Sequence, residues 1–304
     1  MGVVVFGSIN VDLLFPVRSL PQPGQTVLGE HYRVAPGGKG MNQALAARWA
    51  GAEVRMIGAV GDDRFADLAR DRLVRVGVPT QDLITVDAPT ACAAIAVAED
   101  GENSIVVASG ANRLLKAAAV PPSAVTPDGV TLLQLEVPMA ESLAIAQRTR
   151  AAGGRVVWSL APFAVVPHDV LAAADVLVLN APEVAALASH FGLSAARAAS
   201  EAAERWNLAV VSTLGATGAV LATPDGQWHC PAAIVDVVDT TGAGDAFAGA
   251  FGAALAARKP LIEALRDGCA GGALACRALG AQESHGTEAE ISALAATLTV
   301  EALG

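Results

Sequence analysis

Leu132-Leu-Gln-Leu135, Val156-Val-Trp-Ser159, Ala174-Asp-Val-Leu-Val-Leu179 and Ala209-Val-Val-Ser-Thr213 are four short apolar runs in the stretch 132–213. Each has the length of a strand and is too short for a helix. Between them, residues 140–152, 183–189 and 195–206 carry helical patterning. Strands separated by helices in this way predict an α/β fold, with a mostly parallel central sheet covered by helices on both faces.

Working outward, Val3-Val-Val-Phe6 is a further buried strand, closed by Gly7 and followed by Ser-Ile-Asn-Val-Asp12. Residues 16–34 are rich in proline and too long for an ordinary loop, so they leave the core as a small excursion. The excursion ends in Ala35-Pro-Gly-Gly-Lys-Gly-Met-Asn42, a glycine-rich turn that opens a helix over 43–50. It is not a Walker A loop, because the spacing G-x-x-x-x-G-K-[S/T] is missing. Residues 54–60 read as a strand, 61–76 as a helix start and helix, and 91–98 with 104–108 as a hairpin about Asp100-Gly101. On the other side, 206–224 holds two strands joined by a Leu-Gly-Ala-Thr-Gly turn.

Asp239-Thr-Thr-Gly-Ala-Gly-Asp245 then links an alternating apolar run, 233–238, read as a strand, to 246–257, read as a helix. Glycines at such a junction let backbone N–H groups approach a ligand, and the first turn of a helix favours an anion. Asp245 at the helix mouth is either a helix cap or a group with chemistry to do. Asn180 and Glu183 carry the same ambiguity: they have capping-box spacing, and they also suit a hydrated Mg²⁺. Asn10 and Asp12 are either turn residues or ligand contacts.

These positions share one regularity. Asn10 and Asp12, Glu136, Asn180 and Glu183, Thr213-Leu-Gly215, and Asp239 and Asp245 all follow the carboxyl ends of predicted strands. Right-handed crossovers place those ends along one rim of a parallel sheet, where α/β proteins bind ligands. A rim so furnished favours an enzyme over a scaffold.

Composition sets the outer limits. The 304 residues are 53% hydrophobic and 4% aromatic with a net charge of −10, so no nucleic-acid partner is expected and any phosphate needs a local site. Cys92, Cys230, Cys269 and Cys276 form no metal-binding spacing and read as thiols of a reducing cytoplasm. No signal peptide or membrane span is expected. No internal repeat or linker divides the chain, so one domain over 1–304 is expected.

With these residues in hand, the chain resembles the ribokinase family of sugar and nucleoside kinases. The likeness is carried by Gly7-Ser-Ile-Asn-Val-Asp12, Gly37-Gly-Lys-Gly-Met-Asn42, Gly61-Asp-Asp63, Gly101-Glu-Asn103, Gly110-Ala-Asn112, Asn180-Ala-Pro-Glu183, Thr213-Leu-Gly215, the segment 239–249 and Gly280-Ala-Gln282. The resemblance implies a three-layer sandwich with a small β lid formed by about 12–36 and 90–109. It implies sugar contacts from Asn10, Asp12, Gly38, Lys39, Asn42 and Glu136, with Asp245 as the general base. Backbone N–H groups of Gly242, Ala243 and Gly244 would form an anion hole. ATP would lie against Asn180, Thr213, Leu214, Gly215, Ala216, Thr217, Gly218, Gly244 and Cys269. K⁺ would be held by Asp239, Thr241, Ala275, Ala278, Gly280 and Ser284, and Mg²⁺ by Glu183 through water. A homodimer through the lid is implied as well. Ser159, Cys269 and Glu283 depart from the family's usual residues. Retention of the sugar-facing and catalytic positions favours D-ribose over fructose, a 2-keto-3-deoxy sugar acid or a nucleoside, and over a non-catalytic sensor.

Overall fold

Val3 and Val5 face one side of the first strand, β1 (Gly2–Phe6), and Val4 and Phe6 face the other; all four are buried. That two-sided burial is why the strands read as continuous apolar runs rather than alternating ones. The computed structural model describes residues 2–303.

In chain order, β1 is followed by β2 (Asn10–Val17), β3 (Arg33–Gly37), α1 (Lys39–Trp49), β4 (Glu53–Ile57), β5 (Ala59–Val60) and α2 (Arg64–Val76). Next come β6 (Ile84–Thr85), β7 (Ala91–Ala98), β8 (Asn103–Ala108), β9 (Val130–Leu133), α3 (Met139–Ala151) and β10 (Arg155–Ser159). Then follow α4 (His168–Ala172), β11 (Val176–Asn180), α5 (Ala181–Phe191), α6 (Ala198–Trp206), β12 (Ala209–Thr213), β13 (Ala219–Thr223) and β14 (Gly226–Cys230). The chain closes with α7 (Ala243–Ala256), α8 (Leu261–Ala275), α9 (Glu288–Ala295) and β15 (Glu301–Leu303).

Nine strands form the central sheet in the order β15-β14-β13-β12-β11-β10-β9-β1-β4. Pairing is parallel from β4 to β12 and antiparallel from β12 to β15. One face packs on α1, α2, α7 and α8 through Met41, Leu45, Leu73, Phe247, Phe251 and Leu265. The other packs on α3, α4, α5 and α6 through Ile145, Val170, Leu187 and Ala202. The three layers expected from alternating strands and helices are present. A second, four-stranded sheet, β3-β2-β7-β8, carries the early excursion and the hairpin.

Three expectations are corrected. Residues 54–60 are not one strand: β4 ends at Ile57 in the central sheet, and β5 pairs with β6 in a separate two-stranded sheet. Residues 233–238 are not a strand: Ile234 is fully exposed, and Val237 and Val238 are exposed. The strand before them, β14, already has β13 on one side and β15 on the other, so no edge of it is open to this run. Instead the N–H groups of Val238 and Asp239 both reach the carbonyl of Cys276 at the end of α8. Strand β9 starts two residues before the expected position and stops at Leu133, in register with β1 and β10. Gln134 and Glu136 therefore lie beyond the strand, on the rim.

Candidate active site

The carboxyl ends of β1, β9, β11 and β12 face the N-termini of α1 and α7, and the site is built between them. Helix α1 starts at Gly38, whose φ of 92° lies in the left-handed region that favours glycine. Its first N–H groups are satisfied from a distance: Lys39 N–H donates to Glu136 Oε2 at 3.0 Å and Gly40 N–H to Ser8 Oγ at 3.1 Å. Ser8 Oγ donates in turn to Glu136 Oε2 at 2.6 Å. A carboxylate placed against a helix N-terminus is favourable on the same electrostatic ground as an N-terminal acid.

Asn10 is buried at the start of β2. Asn112 Nδ2 donates to Asn10 Oδ1 at 2.8 Å, and the other end of that side chain accepts from Ile9 N–H at 3.0 Å. Asn10, Asn112, Arg113 and Glu136 line a cavity of about 680 Å³. A second cavity, about 200 Å³, is lined by Lys39, Ser159, Asn180, Glu183, Thr213, Gly242, Gly244 and Asp245. The Lys39–Glu136 bond joins the walls of the two.

Helix α7 begins at Gly242, with φ 77° and no side-chain cap. Asp245, buried in the first turn, does not cap its own helix. Its Oδ2 accepts from Asn42 Nδ2 at 3.1 Å and its Oδ1 from Gln43 Nε2 at 3.0 Å. Gln134 Nε2 donates to Gln43 Oε1 at 2.7 Å, and Gln282 Nε2 to Asn42 Oδ1 at 2.8 Å. Buried Gln134 Oε1 has no partner, a cost on the order of 1–3 kcal/mol.

The carboxylates Asp12, Glu136, Glu183 and Asp245 act on one another around Lys39. Burial, then the charges of Glu136 and Asp245, push the Asp12 carboxyl up to about 6. Glu183 is raised, chiefly by burial, although its bond to the Asn180 N–H and the charge of Lys39 oppose the shift. Lys39 is raised by Asp245 first, with burial opposing and Glu136 and Glu183 adding to the rise.

Asn180 and Glu183 form a complete capping box on α5, with the Asn180 side chain accepting from the Glu183 N–H and the Glu183 carboxylate from the Asn180 N–H. Both also line the smaller cavity, so the cap does not remove them from it. Thr213 is on that wall; Gly215, Ala216 and Thr217 form an exposed turn beyond it, and Gly218 is buried. Cys269 is buried on α8, and its thiol is raised by the hydrogen bond with Cys230 and by burial.

Asp239 gathers the last group. It accepts from the N–H and hydroxyl of Thr241 and from the Gly280 N–H at 2.8 Å. Burial alone would raise its carboxyl, but these donors outweigh it and hold it below the usual range. They draw the segment holding Ala275, Ala278 and Gly280 against Asp239 and Thr241, and Ser284 Oγ donates to Leu274 O at 2.7 Å. An anionic carboxylate beside the Thr241 hydroxyl is of the hard-oxygen type that suits a hard cation.

Sequence reasoning did not single out Ser8, Gln43, Asn112, Gln134 or Gln282 as site residues. Ser8, Asn112 and Gln282 lie inside the quoted motifs, and their polar side chains there are the available signal. Among the described residues no helix is long and apolar enough to cross a membrane.

The geometry has counterparts among known proteins. Ribokinase from Haemophilus influenzae is 35% identical over 294 residues, covering 95% of this chain and 96% of that one. The crystal structure of Thermotoga maritima ribokinase superposes with a TM-score of 0.89 at 33% identity, covering 96% of this chain and 98% of that one. Arabidopsis thaliana ribokinase, solved with ribose and ATP, superposes at 0.87 with 27% identity, covering 97% and 98%. The pfkB family carbohydrate kinase profile matches residues 2–288. The fold, the convergent rim and these matches together establish that the chain belongs to the pfkB family of carbohydrate kinases.

Proposed function

We propose that this kinase transfers the γ-phosphoryl group of ATP to the 5-hydroxyl of D-ribose, giving D-ribose 5-phosphate and ADP. One observation supports the reading above the others: the Asp245 carboxylate lines the smaller cavity beside Lys39, oriented by Asn42 and Gln43 rather than spent on its own helix. The curated relatives' ribokinase activity supports ribose as the acceptor.

In this reading ribose reaches from the larger cavity, lined by Asn10 and Glu136, toward Lys39 and Asp245 on the smaller one. Asn10, Asp12, Asn42, Glu136 and the Gly38-Lys39 turn receive its hydroxyls. ATP reaches the smaller cavity from the Asn180, Thr213–Gly218 and Cys269 side. Asp245 accepts the proton of the 5-hydroxyl as the oxygen–phosphorus bond forms and the bond to the ADP oxygen breaks. Phosphoryl transfer needs alignment and charge stabilisation more than covalent chemistry. The first turn of α7 has no side-chain cap, and the N–H groups of Gly242 and Gly244, with that of Ala243 once it leaves the Thr240 carbonyl it now reaches at 3.2 Å, would offer that stabilisation, strongest once water is excluded. Lys39 adds a positive charge on the opposite wall.

Asp239, Thr241, Ala275, Ala278, Gly280 and Ser284 would hold K⁺, which supplies a fixed positive charge behind the anion hole. Glu183 would reach Mg²⁺ through water, and that ion offsets phosphate charge. The four-stranded sheet is the lid of a single domain. Its edge strand β8 exposes Ile105, Val106 and Val107, an apolar edge that suits pairing with a second copy. A homodimer through the lid and a cytoplasmic location complete the proposal.

An ADP-release assay over ribose, fructose, a 2-keto-3-deoxy sugar acid and nucleosides tests it, with product identified by mass and NMR. Ribose 5-phosphate is the expected product. Turnover of another acceptor with none of ribose overturns the assignment. Light scattering of the protein reports the dimer, and a monomeric mass removes it.

A further inference from the structure

Asp245 receives one amide donor on each oxygen, and each donor is itself held from behind. On one side Gln282 Nε2 donates to Asn42 Oδ1, and Asn42 Nδ2 donates to Asp245 Oδ2. On the other, Gln134 Nε2 donates to Gln43 Oε1, and Gln43 Nε2 donates to Asp245 Oδ1. Gln43, Gln134 and Gln282 are buried to 1%, 0% and 5% exposure.

The direction of the first chain is dictated by its far end. A guanidinium has only donors. Arg72 donates to Gln282 Oε1 at 3.2 Å and also to the Gln282 backbone carbonyl. The Gln282 amide must therefore present its NH₂ to Asn42, and Asn42 its NH₂ to the carboxylate. An amide pointing the other way would set oxygen against oxygen. The second chain is directed by the carboxylate itself, which when ionised only accepts. Gln43 must offer NH₂ to Asp245, so its carbonyl takes the NH₂ of Gln134. Gln134 Oε1 is then left unpaired, in the space that a side chain at Gly7 would fill. The buried acceptor is unsatisfied because the chain runs toward Asp245.

We propose that Gln43 and Gln282, backed by Gln134 and Arg72, are positioning residues for phosphoryl transfer: two directed amide relays that clamp both oxygens of Asp245. The inference rests on the reading of Asp245 as the general base. Amides can hold a carboxylate without competing for its proton, since they neither donate nor accept protons at neutral pH. Each oxygen retains a second lone-pair direction for the acceptor hydroxyl. The titratable groups whose charges couple to Asp245 are Asp12, Lys39, Glu183 and His285.

The test uses Gln43→Met and Gln282→Met, which keep volume and remove the amide, with Asp245→Asn in parallel. Kinetics with ribose and ATP are recorded from pH 5 to 9, with ribose affinity by calorimetry and folding by thermal melting. Gln43→Met should lower kcat by roughly 10- to 100-fold while ribose Kd moves less than about threefold. Removing a donor to the carboxylate should also move the acid limb of kcat upward. Gln282→Met, acting through Asn42, should shift both in the same direction by less. Wild-type kcat and an unmoved acid limb in both folded variants, with Asp245→Asn inactive, overturn the relay alone. Full turnover in Asp245→Asn overturns the base and the relay together. Should Gln43→Met not fold, Gln282→Met on the other relay carries the same readouts.

Discussion

Asn42 donates to Asp245 across 3.1 Å, from the first turn of one helix to the first turn of another, between residues 203 positions apart. Two helix N-termini thus face each other over one carboxylate, and both bring partial positive charge to it.

Asp245→Asn should lower kcat by roughly 10²- to 10⁴-fold, the usual worth of a general base. The substitution nearly preserves shape, so ribose Kd by calorimetry should stay within about threefold. Unchanged turnover would remove Asp245 from the proton transfer.

Asp12 gives a pH dependence with a definite sign. Its carboxyl is raised from 3.8 to about 6 by burial and by Glu136 and Asp245. A raised folded-state value means the folded protein holds the proton more tightly than the unfolded chain. The resulting stability is fully present below the unfolded value and is lost as pH rises through 6. Asp12→Asn should therefore stabilise the ligand-free protein at pH 7 by on the order of 1–2 kcal/mol, discounted for partial exposure. The gain should shrink toward pH 4, as read by urea unfolding.

The same group should appear in catalysis. If the ionised carboxylate receives ribose hydroxyls, kcat/KM for ribose falls below about pH 6 as Asp12 takes up its proton. In Asp12→Asn the limb near pH 6 should vanish along with most ribose affinity. A limb that persists belongs to another group.

Gly242 and Gly244 should answer alanine differently. A Cβ at 242 meets Ala281 Cβ at 2.7 Å and Cα at 2.8 Å, on a backbone with φ 77°. Gly242→Ala should cost about 1–3 kcal/mol in stability. At 244 a Cβ meets no heavy atom within 4 Å, so the fold should hold or gain up to about 1 kcal/mol from helix propensity. That Cβ enters the wall of the smaller cavity, and turnover should fall at least about tenfold. Full turnover in a stable Gly244→Ala protein would show that the phosphoryl group does not pass there.

K⁺ should raise turnover above that in a bulky organic cation, measured by salt titration at constant ionic strength. Asp239→Ala should abolish the response, because it removes the carboxylate that holds Thr241 and Gly280 together. A response that survives the substitution would place the cation elsewhere.

Much of the fold was legible because its signals are local. Parallel strands buried on both faces must be apolar throughout, and Val156-Val-Trp and Val176-Leu-Val-Leu declare this within a few residues. The rim was legible because polar residues interrupt those runs at their carboxyl ends. The run 233–238 misled because it has the composition of a strand but no open edge to join. Nothing within ten residues of it reveals that β15, from the end of the chain, already flanks β14.

The sequence by itself determined the strand–helix alternation, the rim with its Asn, Asp, Glu and Gly residues, and the kinase family, since each is written in short-range pattern and spacing. Only the tertiary structure decided what Asp245 does with its two oxygens. A carboxylate in a helix's first turn can cap that helix or turn away, and both options look alike in sequence. Packing of α1 against α7 brought Asn42 and Gln43 within 3.1 Å and 3.0 Å of it, and Gln134 and Gln282 behind them. Hydrogen bonds are directional and short-ranged, so partners separated by about 200 residues of chain exist only once the layers have closed.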